Sequence, residues 1–185
     1  MNALLTRHST LPVDPLFLAR WSPRAFDGVA LPEEDLLTLF EAARWAPSAY
    51  NKQPWRFLYA LRGDAHWATF VALLDPFNAS WAQDAGALIF LLSDSNSPTH
   101  RFDAGAAWSH LALQAHQLGY QAHAMGGIHH SAVRNELAVP KHLHVEIGIA
   151  VGALGDPTSL PDTLRQREIP SDRLPLDQLI NRGRY

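Results

Sequence analysis

The chain has 185 residues, of which 47% are hydrophobic and 18% charged, and its net charge is -3 at pH 7. This length and composition predict one globular domain spanning residues 1–185 and exclude an intrinsically disordered chain. The slightly acidic balance gives no electrostatic reason to expect a nucleic acid or an anionic membrane as a partner. The absence of cysteine excludes disulfides, thiolate metal ligands and cysteine nucleophiles.

Residues 1–10 contain no apolar run long enough for a signal sequence, and no stretch of the chain approaches a membrane-spanning length. We therefore expect a cytoplasmic protein. Six tryptophans are many for this length, and we expect them in the core, at an interface or against a flat ligand.

Hydrophobic periodicity predicts helices that alternate with strands. The predicted helices cover residues 14–21, 32–45, 63–74, 103–118 and 131–137, and the predicted strands cover residues 55–61, 87–92, 121–125 and 145–154. Residues 77–81 are expected to form a polar, aromatic connector. The tail from Gly155 onward is rich in proline but also contains apolar residues, so we expect it to wrap either this core or a partner subunit.

A basic segment follows the first predicted helix. Residues 20–26 read RWSPRAF, in which Pro23 ends the helix, and Arg20 and Arg24 lie on either side of Ser22. Two guanidinium groups and a hydroxyl at this spacing can converge on one anion. Taken alone, the plainer interpretation is a solvated helix end with two surface arginines.

The stretch from Pro47 to Phe57 reads PSAYNKQPWRF and links the second predicted helix to the first predicted strand. Its two prolines prevent the helix from continuing. Ser48, Asn51 and Gln53 offer hydroxyl and amide groups to a ligand that lies against the turn. Taken alone, this stretch also fits an ordinary helix-to-strand loop.

Met125-Gly126-Gly127 ends a predicted strand, and two adjacent glycines let the backbone approach a flat ligand closely. A plain tight turn is the alternative. The sequence has no GxGxxG or GxxxxGK[ST] phosphate loop and no GxSxG nucleophile elbow. The ten histidines do not have the spacing of metal ligands, and we expect no metal site.

Together these segments resemble the FMN-dependent nitroreductase family, in that family's order and over nearly the whole chain. Residues 20–26 resemble its R-x-S-x-[RK]-x-F motif, and residues 47–57 resemble its P-S-x-x-N-x-Q-P-W-x-F motif. Residues 118–127 resemble its L-G-x-x-x-x-x-M-G-G run, and residues 173–176 resemble its R-x-P-L segment. Asn78 lies where the family places an amide against the flavin pyrimidine. Such agreement in register is hard to obtain by chance.

The resemblance implies an α+β fold, with a mixed and largely antiparallel sheet flanked by helices and a C-terminal tail that reaches the partner subunit. It also implies a homodimer with two FMN sites at the subunit interface. The residues that it assigns to cofactor binding are Arg20, Trp21, Ser22, Arg24, Pro47, Ser48, Ala49, Asn51, Asn78, Met125, Gly126, Gly127 and Arg173.

At the phosphate end of FMN, the resemblance assigns Arg20, Ser22 and Arg24 to the phosphate and ribityl oxygens, with Arg173 as a further phosphate contact. Arg24 would lie nearest the N1/O2 edge, where a reduced flavin carries negative charge that a guanidinium stabilises. Because the flavin carries the redox step, no protein side chain is expected to act as a catalyst.

At the ring end, the resemblance assigns Ser48, Ala49 and Asn51 to the FMN of the other subunit. Asn78 would meet the pyrimidine edge, and the amide of Gly126 or Gly127 would face flavin N5.

The activity implied by the resemblance is that of an FMN-dependent NAD(P)H oxidoreductase with ping-pong hydride transfer. NADH or NADPH would be the donor, and a nitroaromatic, quinone or enone the acceptor. The alternatives are a flavin-binding or storage module without NAD(P)H turnover and a structural dimer whose site has decayed. Trp81 stands where many family members have a lysine, which implies a flatter, more aromatic pocket. The short loop at residues 93–101 lacks the helical excursion that covers the substrate in larger members.

Overall fold

The computed structural model describes residues 7–185, which form a four-stranded sheet with helices packed on both faces. The helices are α1 (Pro15–Ala19), α2 (Glu33–Arg44), α3 (Trp67–Ala72), α4 (Pro76–Ala82), α5 (His100–Gln117), α6 (His130–Glu136) and α7 (Asp162–Arg165). The strands are β1 (Trp55–Leu61), β2 (Ala87–Asp94), β3 (Tyr120–Met125) and β4 (Leu143–Ala153). The predicted α+β class is confirmed. Within residues 7–185 no helix has the length and apolar character needed to cross a membrane.

The sheet has the strand order β1-β2-β4-β3, and all of its pairings are antiparallel across residues 7–185. The central strand β2 is buried from Ala87 through Ser93. A strand covered on both faces needs apolar side chains in both directions, because neither face meets water. The strand predicted at residues 87–92 is confirmed, and its continuous apolar run fits this burial on both faces.

Each face of the sheet has its own hydrophobic core. On one face, α2 and α5 cover Ile89, Leu91 and Ile149. On the other face, α3, α4 and α6 cover Leu88 and Phe90. The alternation along β2 follows from the two-residue period of a strand, which sends successive side chains to opposite faces.

Helix α5 packs on the sheet through small side chains. Ala104, Ala107 and Ala115 are buried, with Leu111 between them. Small residues at these positions let the helix backbone approach the sheet and α2 closely. Leu118, the last residue of the helix predicted at residues 103–118, is 40% exposed because the helix has already ended at Gln117.

The prediction of a connector at residues 77–81 is wrong, because these residues belong to helix α4. Asp75 accepts a hydrogen bond from the Asn78 N–H at 2.7 Å, and Pro76 occupies the first helical position. The dipeptide Asp75-Pro76 can begin a helix as well as end the helix before it. It ends the preceding segment and begins a new helix at once, and this places Asn78 and Trp81 on one short helix.

Other boundaries shift by a few residues. The helix predicted from Gly63 begins only at Trp67, because Gly63 adopts a φ of 93° that closes a turn. Helix α1 covers less than the predicted residues 14–21, and its N-cap is Asp14, whose side chain accepts from the Leu16 N–H at 2.8 Å. The helix predicted at residues 131–137 covers His130–Glu136, and His129 occupies its N-cap position.

The C-terminal tail divides into two parts. Leu160 and Leu164 are buried against the core that contains Phe90, so the first part wraps the chain's own sheet. Beyond residue 168 the tail presents exposed apolar side chains. These are Ile169, Leu174, Leu176, Leu179 and Ile180. That this second part reaches a partner subunit stays a prediction.

The turn after β3 packs tightly against the start of α4. The Gly127 carbonyl oxygen accepts from Asn78 Nδ2 at 3.0 Å and from the Asp75 N–H at 3.1 Å. A Cβ at position 127 would overlap the Asp75 carboxylate and lie 2.5 Å from Asn78 Nδ2. A Cβ at Gly126 would meet no atom within 4 Å. Glycine is therefore required at 127 and not, on steric grounds, at 126.

Gly127→Ala should lower the free energy of unfolding by about 1–3 kcal/mol, because the added methyl displaces Asp75 or Asn78 from this turn. Gly126→Ala is the matched control and should change it by less than about 0.5 kcal/mol. Urea denaturation of both variants measures the difference. Equal stability of the two variants would contradict the packing described for this turn.

Candidate functional site

Five arginines line one surface cavity of about 430 Å³. They come from the start of the described chain, from the segment after α1 and from the tail, and they are Arg7, Arg20, Arg24, Arg167 and Arg173. Trp21, Ser22, His123, Ile169 and Ser171 complete the lining. The structure thus brings together five of the predicted site residues, namely Arg20, Trp21, Ser22, Arg24 and Arg173.

A second cavity of about 380 Å³ adjoins the first and shares four of its lining residues. The shared residues are Arg20, Ser22, His123 and Arg173. The remaining wall is formed by Phe17 of α1, by Ala124 of β3 and by four residues of α5, namely Trp108, Ser109, Ala112 and Leu113. The cationic cavity therefore continues into a less polar space between α1, α5 and the edge of the sheet.

Local hydrogen bonds hold the basic segment in place. Arg20 follows α1 in an extended conformation, and its Nη1 donates to Ser22 Oγ at 3.2 Å. Arg7 Nη2 donates to the carbonyl oxygens of Ala19 at 3.2 Å and Arg20 at 2.9 Å. These contacts satisfy carbonyls at the end of α1, which a helix cannot satisfy by itself.

The guanidinium groups at this cavity repel one another. Burial lowers the pKa of Arg20, and the charges of Arg7 and Arg173 lower it further. Burial and the charge of Arg173 also lower the pKa of Arg7, against an opposing effect of Asp172. A site in which like charges are partly removed from water attracts an anion strongly.

Arg24 is held between a carboxylate and an aromatic ring. Its Nη1 lies 3.8 Å from Glu168 Oε2, and its guanidinium carbon lies 5.9 Å from the centroid of the Trp81 ring. Burial lowers the pKa of Arg24, and Glu168 opposes this effect. Within residues 7–185, Nε of Arg7, Nε of Arg24 and the indole N–H of Trp21 are buried without a hydrogen-bond partner. These donors are available to a ligand rich in acceptor oxygens.

Comparison with known proteins bears on the family of the chain. The model of the nitroreductase family matches residues 18–66, which include the basic segment and the 47–57 stretch. A solved structure described as an oxidoreductase containing FMN is 51% identical, with 97% of this chain and 96% of that chain covered and a TM-score of 0.95.

The chain belongs to the nitroreductase family.

Two further relatives extend the comparison. A structure from Desulfovibrio desulfuricans, described as a nitroreductase in complex with FMN, is 26% identical over 96% of this chain and 99% of that chain, with a TM-score of 0.77. An uncharacterised 15.4 kDa protein from Mycolicibacterium smegmatis is 32% identical over 146 residues, which cover 70% of this chain and 97% of the relative.

In this member of the nitroreductase family, the predicted loop residues Pro47, Ser48, Ala49 and Asn51 lie apart from the arginines and line neither cavity described above. Ser48 Oγ accepts from the Gln53 N–H at 3.0 Å. Within the loop, φ is positive at Tyr50, Asn51 and Gln53, with values of 51°, 54° and 47°. Such conformations are costly for residues other than glycine and are concentrated at functional sites.

The same loop is tied to the start of α5. The Ala49 N–H points at Asp103 Oδ2 at 3.4 Å, and Thr99 Oγ1 donates to the same oxygen at 2.9 Å. Asp103 is 2% exposed, whereas Tyr50 on the outer side of the loop is 96% exposed. Hydrogen bonds to the buried Asp103 therefore hold the inner side of this loop, and its outer side is exposed at Tyr50.

Asn78, Met125, Gly126 and Gly127 lie at the junction of α4 and β3. Met125 is buried in the core, so only its backbone can meet a ligand. The Asn78 side chain donates one N–H to the Gly127 carbonyl, which leaves its second N–H and its Oδ1 for a ligand. These residues connect to the arginine cavity through Trp81, which follows Asn78 on α4 and contacts His123 at a ring-centroid distance of 4.7 Å.

Trp81 does not line either cavity, in contrast to the expected flatter aromatic pocket. It is 1% exposed and lies against Phe26, with ring centroids 6.3 Å apart, and against His123. The ring supports Arg24 and His123 from behind. The reason is the helical conformation of residues 76–82, which turns this side chain toward the core.

Four titratable residues that line this cavity or pair with its lining were not predicted from the sequence, namely Arg7, His123, Arg167 and Glu168. The lining residues Ile169 and Ser171 were not predicted either. Arg7 and Arg167 lie outside the motifs, and Glu168 has no local signal. His123 lies on the predicted strand at residues 121–125. An imidazole between two alanines of a strand was a signal that could have identified it as a candidate site residue.

His123 is the only one of these four that is a neutral acid–base group. Its Nδ1 lies 2.8 Å from the carbonyl oxygen of Pro23, which can only accept, so Nδ1 carries the proton. Burial lowers the pKa of His123 to about 4, and the charges of Arg24 and Arg20 act in the same direction. The imidazole is therefore neutral at pH 7.

The depressed pKa of His123 predicts a specific pH dependence of stability. The unfolded chain takes up the proton of this histidine near pH 6.5, whereas the folded chain takes it up near pH 4. Between these values the unfolded state binds more protons, so the free energy of unfolding falls as the pH falls, by up to ~1.4 kcal/mol per pH unit. Above pH ~6.5 His123 is neutral in both states and makes no contribution to the pH dependence of the free energy of unfolding.

Urea denaturation between pH 4.5 and 8 should therefore show a smaller loss of stability in acid for His123→Asn than for the wild-type chain. Asn can still donate to the Pro23 carbonyl but takes up no proton. The same substitution at the exposed His66 controls for the removal of a histidine as such. A pH dependence of His123→Asn equal to that of the wild type would contradict the assignment.

Proposed function

We propose that this protein is an FMN-dependent NAD(P)H oxidoreductase that works as a homodimer. The observation that carries the proposal is the convergence of Arg20, Ser22 and Arg173 on one cavity that also contains buried, unpaired N–H donors. A cationic cavity of this kind suits a phosphate dianion, and the adjoining space suits the rest of a flavin.

The donors present fit the acceptors of FMN. Arg20, Ser22 and Arg173 would hold the phosphate and the neighbouring ribityl oxygens, because guanidinium and hydroxyl groups bind phosphate with charge-assisted hydrogen bonds. Arg24 would face the N1/O2 edge, where its charge would stabilise the negative charge of the reduced ring. The unpaired indole N–H of Trp21 is a further donor at the same cavity.

The relatives support the cofactor. The 51% identical relative is described as containing FMN, and the structure from Desulfovibrio desulfuricans is described as a complex with FMN. When bound, FMN would supply the redox chemistry, taking a hydride from NADH or NADPH and passing it to a small acceptor such as a nitroaromatic, a quinone or an enone. The protein's own residues would bind, orient and electrostatically support that cofactor.

Exposed apolar side chains support the homodimer. Phe17, Phe102 and Tyr50 are 60%, 81% and 96% exposed, and the second part of the tail adds further apolar residues. Apolar surface of this kind on a folded chain commonly marks an interface. In the dimer, Pro47, Ser48, Ala49 and Asn51 would meet the FMN of the other subunit, while Asn78 and the Gly126 or Gly127 amide would meet the ring from their own subunit.

Anaerobic titration tests the proposed reaction. The purified protein, saturated with FMN and separated from free cofactor, should show the absorbance band of oxidised flavin. Addition of NADH or NADPH should bleach that band, and a nitroaromatic or quinone should restore it. Flavin that stays bound but oxidised under excess NADH and NADPH would contradict the reductase and favour a flavin-binding module. A protein that takes up no FMN would contradict the cofactor itself.

Arg173→Ala should weaken FMN binding about tenfold or more, because a charge-assisted contact is lost. Among residues 7–185 its guanidinium hydrogen-bonds only within the tail, to Ser171 and to the carbonyl of Asp172, so the variant should keep the stability of the wild type. Arg165→Ala is the matched control, since Arg165 pairs with Asp162 on the surface. Flavin fluorescence titration gives the two dissociation constants, and equal values would contradict the role of Arg173.

A further inference from the structure

We propose that Nε2 of His123 accepts a hydrogen bond from a hydroxyl group of the ligand's sugar-alcohol chain and thereby selects a hydroxylated phosphate ester. The inference rests on the proposed function, because it concerns the ribityl chain of FMN in the same site. The arginines among the motif residues only donate hydrogen bonds to the oxygens of that chain, and His123 would add an acceptor for the proton of one of its hydroxyl groups.

The position of His123 favours this role. It stands on the edge strand β3, opposite Ala150 of β4, and it lines both of the adjoining cavities. It therefore lies where the cationic space passes into the less polar space beside α5. In FMN, the part between the phosphate and the ring is the ribityl chain with its hydroxyl groups.

The orientation of the ring is fixed on two sides. Nδ1 donates to the Pro23 carbonyl at 2.8 Å, and the ring packs on Trp81, with centroids 4.7 Å apart and planes inclined by 43°. Since a neutral imidazole has one N–H, Nε2 carries a lone pair. Trp81 is buried, so the ring that supports His123 is itself held by the core.

The lone pair of His123 Nε2 is a hydrogen-bond acceptor in a cavity whose lining side chains are mostly donors. The five guanidinium groups and the indole of Trp21 are donors only, and the two serine hydroxyls can act either way. A phosphate dianion offers only acceptors, so it suits the arginines and is repelled by the lone pair of Nε2. A hydroxyl group has a proton to donate, so it suits Nε2. His123 would thus place the hydroxylated chain while the arginines place the phosphate.

The test combines variants of His123 with flavins that lack single hydroxyl groups. His123→Asn keeps a donor for the Pro23 carbonyl and removes the acceptor at Nε2. His123→Gln is the rescue variant, because its amide oxygen can reach the position of Nε2. The ligands are FMN and its 2′-, 3′- and 4′-deoxy analogues, all of which keep the phosphate, and the measurement is the dissociation constant from flavin fluorescence.

His123→Asn should raise the dissociation constant of FMN about three- to tenfold, the usual worth of one hydrogen bond. For one of the deoxy analogues the wild type and His123→Asn should bind equally, because the partner hydroxyl is already missing. His123→Gln should recover most of the affinity for FMN. Thermal unfolding of the apoproteins should show that the His123→Asn fold is intact.

An equal affinity of wild type and His123→Asn for FMN would overturn the inference. So would a loss of affinity that is the same for FMN and all three analogues, since that result would indicate a general disturbance of the site. Both results leave the proposed function standing. A wild-type protein that binds neither FMN nor any analogue would overturn the proposed function together with this inference.

Discussion

The arrangement of the cavity depends on one buried carboxylate, that of Glu168. Its Oε1 accepts hydrogen bonds from the backbone N–H groups of Arg24 at 2.5 Å and Ala25 at 2.8 Å. A carboxylate left unpaired in the interior would be strongly destabilising, so these bonds fix the course of both segments together. Because the tail is held at this point, residues 167–173 arrive at the same cavity as Arg20.

The same constraint forces cations together. Burial lowers the pKa of Arg7 and of Arg20, the charge of Arg173 lowers both further, and the charge of Arg7 also lowers that of Arg20. The carboxylates within reach, those of Glu168 and Asp172, do not balance these cations. Folding therefore holds a positive potential in place before any ligand arrives. A bound anion relieves this repulsion, so binding and stability are coupled in the native protein.

The sequence predicts the parts of this molecule that local patterns control. The strand at residues 87–92 was predictable because a strand buried on both faces has a continuous run of apolar residues. Helix α5 was predictable because a helix buried on one face repeats its apolar residues with the period of a helix. Helix α4 was missed because a seven-residue helix has little periodicity, and its Asp75-Pro76 start resembles a stop. The convergence of Arg20, Ser22 and Arg24 on one cavity was predictable because the three residues lie at alternate positions of one short segment; that they bind an anion stays a prediction.

The rest of the site depends on contacts between distant residues, which the sequence does not reveal. Glu168 meets a segment 143 and 144 residues away, and nothing in its own neighbourhood indicates that contact. His123 faces the cavity only because β3 pairs with β4 in one register; a shift by one residue would turn it to the other face. The position of Trp81 behind the cavity was not predicted, because Trp81 lies on helix α4, which the sequence analysis took for a connector.

The placement of the tryptophans has an optical consequence. Trp21 lines the arginine cavity, Trp108 lines the adjoining one, and Trp81 packs against His123 between them. Half of the six indoles in the chain therefore surround one small region. Because the emission of indole overlaps the absorption of flavins, a flavin in either cavity would quench most of the protein's own fluorescence. The tryptophan fluorescence of the unlabelled protein would therefore report whether a flavin occupies this region.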